Sequence, residues 1–119
     1  MRTVSGCLFC GIVAGEIPAD VVYSDDHVVA FRDIAPQAPT HVLVVPRDHI
    51  DHAGRVEHDD AATIAAMVVA AQKVAELEGI AAPERGYRLI FNVGADAQNS
   101  VPHLHLHVVG GRSLTWPPG

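Results

Sequence analysis

Three histidines alternate with two leucines at residues 103–107, inside the stretch Pro102-His103-Leu104-His105-Leu106-His107-Val108-Val109-Gly110-Gly111. Imidazole can ligate a metal, attack an electrophile or carry a proton near neutral pH, because its unperturbed pKa is about 6.5. Strict apolar–polar alternation is the two-residue period of a β-strand. Leu104, Leu106 and Val108 are therefore expected on one face, and His103, His105 and His107 on the other. At a rise of about 3.3 Å per residue, the outer two histidines have Cα atoms roughly 13 Å apart. Imidazole binds zinc at only about 2.0–2.1 Å, so one metal cannot take all three. Such a row lines a polar ligand or is split between two tasks. The bland alternative is a solvated strand face that carries its histidines by chance.

Cys7 and Cys10 form a second candidate in the stretch CLFC. In a reducing compartment a Cys-x-x-Cys pair reads as zinc-binding or redox-active. A thioredoxin-type pair belongs before a helix in a βαβ setting, which is absent from this pattern. Two cysteines alone leave a tetrahedral zinc site two ligands short. The first residues lack a long apolar h-region, so a cytoplasmic location is expected. No run is long enough to span a membrane. The formal charge of −6 argues against a broad nucleic-acid surface, so a phosphate ligand would need local donors.

The elements that must position these groups are legible from period and punctuation. With 119 residues, about half of them apolar, the chain has the size of one domain, residues 1–119, with one core. A short helix is predicted over Leu8 to Ala14, stopped by Gly15. Strands follow over Val21–Tyr23 and Val28–Phe31, with Ser24-Asp25-Asp26 as the turn. A proline-rich loop leads to a third strand from His41 to Pro46. Asp59 or Asp60 is expected to cap a long helix that runs to about Glu78 and stops at Gly79. Tyr87 to Val93 forms a fourth strand, and the histidine strand the fifth. The prediction is an α+β domain: a five-stranded, mostly antiparallel sheet with one long and one short helix. Apolar residues surround almost the whole long helix, which implies cover on more than one side and hence a twofold homodimer. A charge at Val68 or Ala71 is then expected to hinder association. His27, His52 and His58 lie in polar surroundings and read as solvated.

SVPHLHLHVVGGR is similar to the motif of the histidine-triad family, and VVYSDDHVVAFRDIAPQAPTHVLVVPRDHI to the rest of its fingerprint. GGRSLTWPPG resembles the tail of the family's Hint branch. The resemblance implies a dimeric α+β hydrolase that binds purine nucleotides. It would cleave nucleoside 5′-phosphoramidates or acyl-adenylates through a nucleotidyl-histidine. Alternatives are a dinucleoside polyphosphate hydrolase or nucleotidyl transferase of the same family, a non-catalytic nucleotide-binding regulator, or a metal protein that uses the triad itself. The resemblance puts the nucleophile at His105, with a ring nitrogen tied to a backbone carbonyl. It gives His107 the phosphate oxygens and His41 a supporting or proton-relaying role. Asp33 would hold the ribose, beside Ile34. Phe9, Ile12, Ile17, Phe31 and Leu43 would form the base slot, and Asn92, Asn99 and Ser100 the phosphate-side donors. Family members often have Gly-Gln where this chain has Gln98-Asn99, so the phosphate loop is expected to differ. The resemblance further implies structural zinc on Cys7, Cys10, His49 and His103, no organic cofactor, and a tail with Trp116 that reaches the partner's site.

Overall fold

Strands form where the alternating and β-branched runs lie. The computed structural model describes residues 1–119. Helix α1 spans Leu8–Val13, β1 Val21–Ser24, β2 Val28–Arg32 and β3 Thr40–Pro46. Two single-turn 3₁₀ segments, Ala53–Arg55 and His58–Asp60, lead into α2, Ala61–Leu77. Strands β4, Tyr87–Ile90, and β5, Leu106–Gly110, complete the sheet. Its order is β1-β2-β3-β5-β4, with every neighbouring pair antiparallel. Long helix α2 carries the chain from β3 across the sheet, so that β5 returns between β3 and β4. No helix is long and apolar enough to cross a membrane.

The central strand β3 is buried along its whole length, because both faces of the sheet are covered. On one face Val28, Ala30, Val42, Val44, Leu106 and Val108 pack against Met67, Ala70, Ala71 and Val74 of α2. On the other, Val29, Phe31, Leu43 and Val45 pack against Phe9 of α1. Burying one such large apolar side chain stabilises the fold by about 1.5–3 kcal/mol. Helix α2 stops where expected. Gly79 takes φ 73°, and its N–H and that of Ile80 bond back to the carbonyls of Glu76 and Ala75. This is the paired C-terminal cap that a glycine beyond the last turn permits.

Two expectations change. The histidine strand joins the ladder only at Leu106, because the backbone before it finds partners elsewhere. His103 N–H donates to the carbonyl of Val101, and Leu104 N–H to that of Ile50. Strand β4 ends at Ile90 instead of Val93 for the same reason: its partner across the ladder at that point is His107, the second residue of β5. Within one chain, helix α2 is covered on one side only. Met67, Ala70, Ala71, Val74 and Ala75 are buried, while Ala61, Ala62, Ala65 and Val69 form a small apolar stripe open to solvent. Polar Gln72, Lys73 and Glu76 continue that exposed side toward the C-terminus.

Candidate active site and metal-ligating cluster

The register of the sheet lines up the site. Phe31 of β2 opposes Leu43 of β3, Leu43 opposes His107 of β5, and His107 opposes Ile90 of β4. Opposed residues share a face, so this row crosses the face that α1 covers. His41 lies two residues before Leu43 and is the diagonal neighbour of His107. Its Nε2 is 2.9 Å from His107 Nδ1.

Proton positions follow from the fixed donors. The backbone N–H of Gln37 donates to His41 Nδ1 at 3.0 Å, so the ring proton of neutral His41 sits on Nε2. That proton is donated to His107 Nδ1, which leaves the His107 proton on Nε2, 3.5 Å from the Asn92 side-chain amide. Burial, and then the neighbouring His105 and His41, push the pKa of His107 down to about 4. His107 is therefore neutral and presents an N–H of fixed direction. Asp33 Oδ1 accepts from the Ala35 N–H, and its Oδ2 lies 3.4 Å from His41 Nε2.

His105 precedes the ladder by one residue, and a single contact sets its ring. Its Nδ1 lies 2.7 Å from the carbonyl oxygen of His103. A carbonyl only accepts, so Nδ1 carries the proton and the lone pair lies on Nε2. Phe9 packs edge-on against this imidazole, with centroids 5.2 Å apart.

His105 and His107 line a cleft of about 740 Å³. Phe9, Ile12, Ile17, Phe31 and Leu43 form its apolar side; Asp33, Asn92 and Ser100 supply polar groups, and fully exposed Ile34 stands at its rim. The shape suits a ligand with a flat apolar end and an anionic end. His41 is buried behind the wall, in contact with His107. Asn99 does not reach the cleft, contrary to expectation, and Gln98 lines it instead. Gln98 adopts φ 59°, in the left-handed region, which turns the loop so that Asn99 N–H bonds back to the Gly94 carbonyl. The Asn99 Oδ1 is buried without a partner. Sequence reasoning also missed Leu8, Pro18, Ala19, Asp20, Arg32 and Val101 as lining. Only the Ile-Pro step after α1 hints that this segment folds back onto the helix.

A second constellation lies behind His105. Cys7, Cys10, His49 and His103 each aim one donor atom at a common point, all within 4.8 Å of one another. His103, on the histidine face by alternation and in this cluster by the resemblance, is fully buried here. Its Nε2–H donates to the Pro46 carbonyl at 2.9 Å, and His49 Nε2–H to Asp51 Oδ1 at 2.8 Å. Both rings therefore present a bare Nδ1, and the two Nδ1 atoms are 3.1 Å apart. Two lone pairs so close repel unless a cation lies between them. Burial pushes the His103 pKa below its ordinary value, which disfavours a proton on that ring. Three of the four sulfur–nitrogen distances are 3.3–3.5 Å. Zinc bonds of about 2.0–2.3 Å give tetrahedral edges of about 3.3–3.8 Å, so the set could hold such an ion. The outer hydrogen bonds to Asp51 and Pro46 are of the kind that orient ligating imidazoles. Asp33, His41 and His107 also lie close together. There, however, His41 Nε2 bears the ring proton, which makes that group a hydrogen-bond chain and not a vacant donor set.

The HIT domain pattern matches residues 14–114. The chain belongs to the HIT family. It is 47% identical over 107 residues to the purine nucleoside phosphoramidase of Escherichia coli, covering 90% of this chain and 88% of that protein. The crystal structure of a HIT family hydrolase from Legionella pneumophila superimposes with a TM-score of 0.91 at 50% identity, covering 96% of this chain and all of the other. A histidine triad protein from Clostridium difficile gives 0.90 at 38% identity, over 96% and 97% of the two chains. Cys7, Phe9 and Cys10 lie ahead of the stretch matched by the HIT domain pattern.

Proposed function

We propose that this HIT protein hydrolyses purine nucleoside 5′-phosphoramidates and related acyl-adenylates through a nucleotidyl intermediate on His105. The chain is a hydrolase by its similarity to a named phosphoramidase and to HIT family hydrolases. The observation that carries the residue assignment is the 2.7 Å contact between His105 Nδ1 and the His103 carbonyl. It holds one tautomer and leaves an Nε2 lone pair as the nucleophile in a cleft that has an apolar side and a polar side.

In this reading the base stacks between Phe9, Ile12, Phe31 and Leu43. Asp33 Oδ2, the oxygen not engaged by Ala35, accepts from the ribose. His105 Nε2 attacks the α-phosphorus, the P–N bond breaks with its electron pair on nitrogen, and the amine leaves after taking a proton. Water then hydrolyses the nucleotidyl-histidine and frees His105. Neutral His107, oriented by His41, donates its Nε2–H to the phosphate oxygens, where negative charge concentrates in the transition state. Asn92 and Ser100 add donors on the same side.

Cys7, Cys10, His49 and His103 fit one zinc ion with four protein donors and no open position, the arrangement of structural sites. Bound there, zinc would cross-link the N-terminal segment, the His49 loop and His103, and would supply no chemistry on the substrate. The exposed alanine–valine stripe of α2 suits a homodimer, and a cytoplasmic location agrees with reduced cysteines. Turnover of adenosine phosphoramidate and a diadenosine polyphosphate, assayed side by side, tests the reading. Faster cleavage of the phosphoramidate supports it. Preference for the polyphosphate, or turnover of neither, removes it.

A further inference from the structure

His103 faces two ways. Its side chain points Nδ1 into the cysteine–histidine cluster, while its carbonyl holds the His105 ring at 2.7 Å. No sheet ladder fixes this stretch, because β5 pairs with β3 only from Leu106 onward. Residues 103–105 are held by side anchors instead: the His103 ring on the Pro46 carbonyl, the Leu104 N–H on the Ile50 carbonyl, and the cluster itself. Whatever fixes the His103 ring therefore also fixes the acceptor that orients His105.

A second connection runs through α1. Phe9 sits between Cys7 and Cys10 and is only 5% exposed. Its ring meets His103 at 5.9 Å, His105 at 5.2 Å and Phe31 at 5.4 Å, and it forms part of the cleft wall. The helix that carries it cannot drift toward its neighbour. A Cβ at Gly11 would lie 2.5 Å from Ile17 Cδ1, so α1 already touches the Ile17 side of the cleft. One end of a six-residue helix thus bears the two thiols while its side forms the pocket.

We propose that metal binding at Cys7, Cys10, His49 and His103 and nucleotide binding in the cleft are thermodynamically coupled, with Phe9 and the His103 carbonyl as the positioning groups that carry the coupling. The inference rests on the zinc and nucleotide readings above and adds that neither site is independent of the other. A metal that gathers the four donors locks α1 and His103 together, and so preorders the base slot and the His105 tautomer. A nucleotide that packs against Phe9 and engages His105 holds the same two segments in the geometry the metal needs. Linkage makes the effect reciprocal: each ligand raises the affinity for the other by the same factor.

The test uses the full chain and measures two affinities. Zinc is titrated against a chromophoric chelator with and without saturating AMP, and AMP by calorimetry with and without zinc. The expected result is a gain of about tenfold in each direction, equal within error, inside the usual range of coupling between sites. Phe9→Leu keeps an apolar side chain but loses the edge contacts to both imidazoles; it should still bind both ligands, with the ratio falling toward one. Asp33→Asn, which lines the cleft and lies outside the metal-ligating cluster, should weaken AMP and leave the ratio unchanged; a merely structural role for Phe9 would make the two variants alike. In ¹⁵N spectra the His105 ring should show a single Nδ1–H tautomer with zinc and a mixture of tautomers without it. Binding of both ligands with a wild-type ratio of one overturns the coupling and leaves the functional reading intact. An unchanged ratio in Phe9→Leu removes Phe9 from it. Failure to bind zinc, or failure to bind AMP, overturns the functional reading and the coupling together.

Discussion

His107 shows how burial decides the role of one imidazole. An exposed histidine would be partly charged at neutral pH, whereas this one, pushed down to about 4, stays neutral and donates in one direction only. The shift has a consequence for stability. The unfolded chain takes up a proton near the ordinary value of 6.5, and the folded chain refuses it until about 4. The unfolded state therefore binds more protons inside that window, and stability falls as pH drops through it. Above 6.5 neither state is protonated at this residue, and the effect vanishes. His107→Gln should lose less melting temperature than the parent between about pH 7 and pH 4.5. Equal losses would mean that His107 does not resist protonation. Gln98 tests a different residue-level cause. A left-handed backbone costs a non-glycine residue about 1–2 kcal/mol, while glycine loses extra chain entropy on folding. Gln98→Gly should raise the melting temperature by a few degrees. A fall would show that the Gln98 side chain stabilises the loop by more than the backbone strain costs.

The strands and helices were largely readable because each is a local periodic signal. Continuous apolar runs marked β2 and β3, alternation marked the core side of β5, and Gly79 marked the end of α2. What alternation cannot say is where a ladder stops. His103 keeps the parity of the histidine face, yet its backbone leaves the sheet and its ring is buried in the cysteine cluster, a placement set by Ile50 and Pro46, far from it in sequence, and by the Val101 carbonyl two residues before it. The exchange of Asn99 for Gln98 has the same origin. Loop side chains are directed by single φ values; the dipeptide Gln-Asn does not itself signal a left-handed first residue, and only the glycine that family members often carry at this place does. The wall from Pro18 to Asp20 was invisible because its place depends on α1 packing tightly at Gly11. The paired-histidine chain was half visible. Residue types pointed to His41 and His107, but the proton order needed the Gln37 contact.

At the scale of the whole chain, α2 is half covered. From sequence alone Val68 and Ala71 look equally suited to probing association, and the structure separates such positions. Ala71 is fully buried in the protein's own core, so a charge there would unfold the chain before it told anything about a partner. Val69 is 47% exposed and belongs to the open stripe. Val69→Glu should keep the melting profile of a folded chain at low concentration and shift sedimentation from dimer to monomer. A parent protein that is already monomeric at micromolar concentration would remove the dimer proposal. The tail offers a second surface. Arg88 donates to the Thr115 carbonyl at 2.7 Å, which anchors the tail on edge strand β4 and leaves Trp116 81% exposed. That exposure is compatible with the tail reaching a partner's cleft, the arrangement implied by the Hint resemblance.

The central claim is that His105 Nε2 bonds to phosphorus during turnover, and rapid quenching addresses it directly. Wild-type protein mixed with adenosine phosphoramidate labelled in the adenosine should yield an acid-labile adduct, mapped by peptide mass to His105. His105→Gly should keep its fold, because Leu104 and Leu106 hold the core side of this stretch. It should form no adduct and lose several powers of ten in turnover, as expected when a covalent route is removed. An adduct on another residue would contradict the account. So would a glycine variant that keeps more than about a tenth of the parent rate, a difference of only about 1.4 kcal/mol in the barrier.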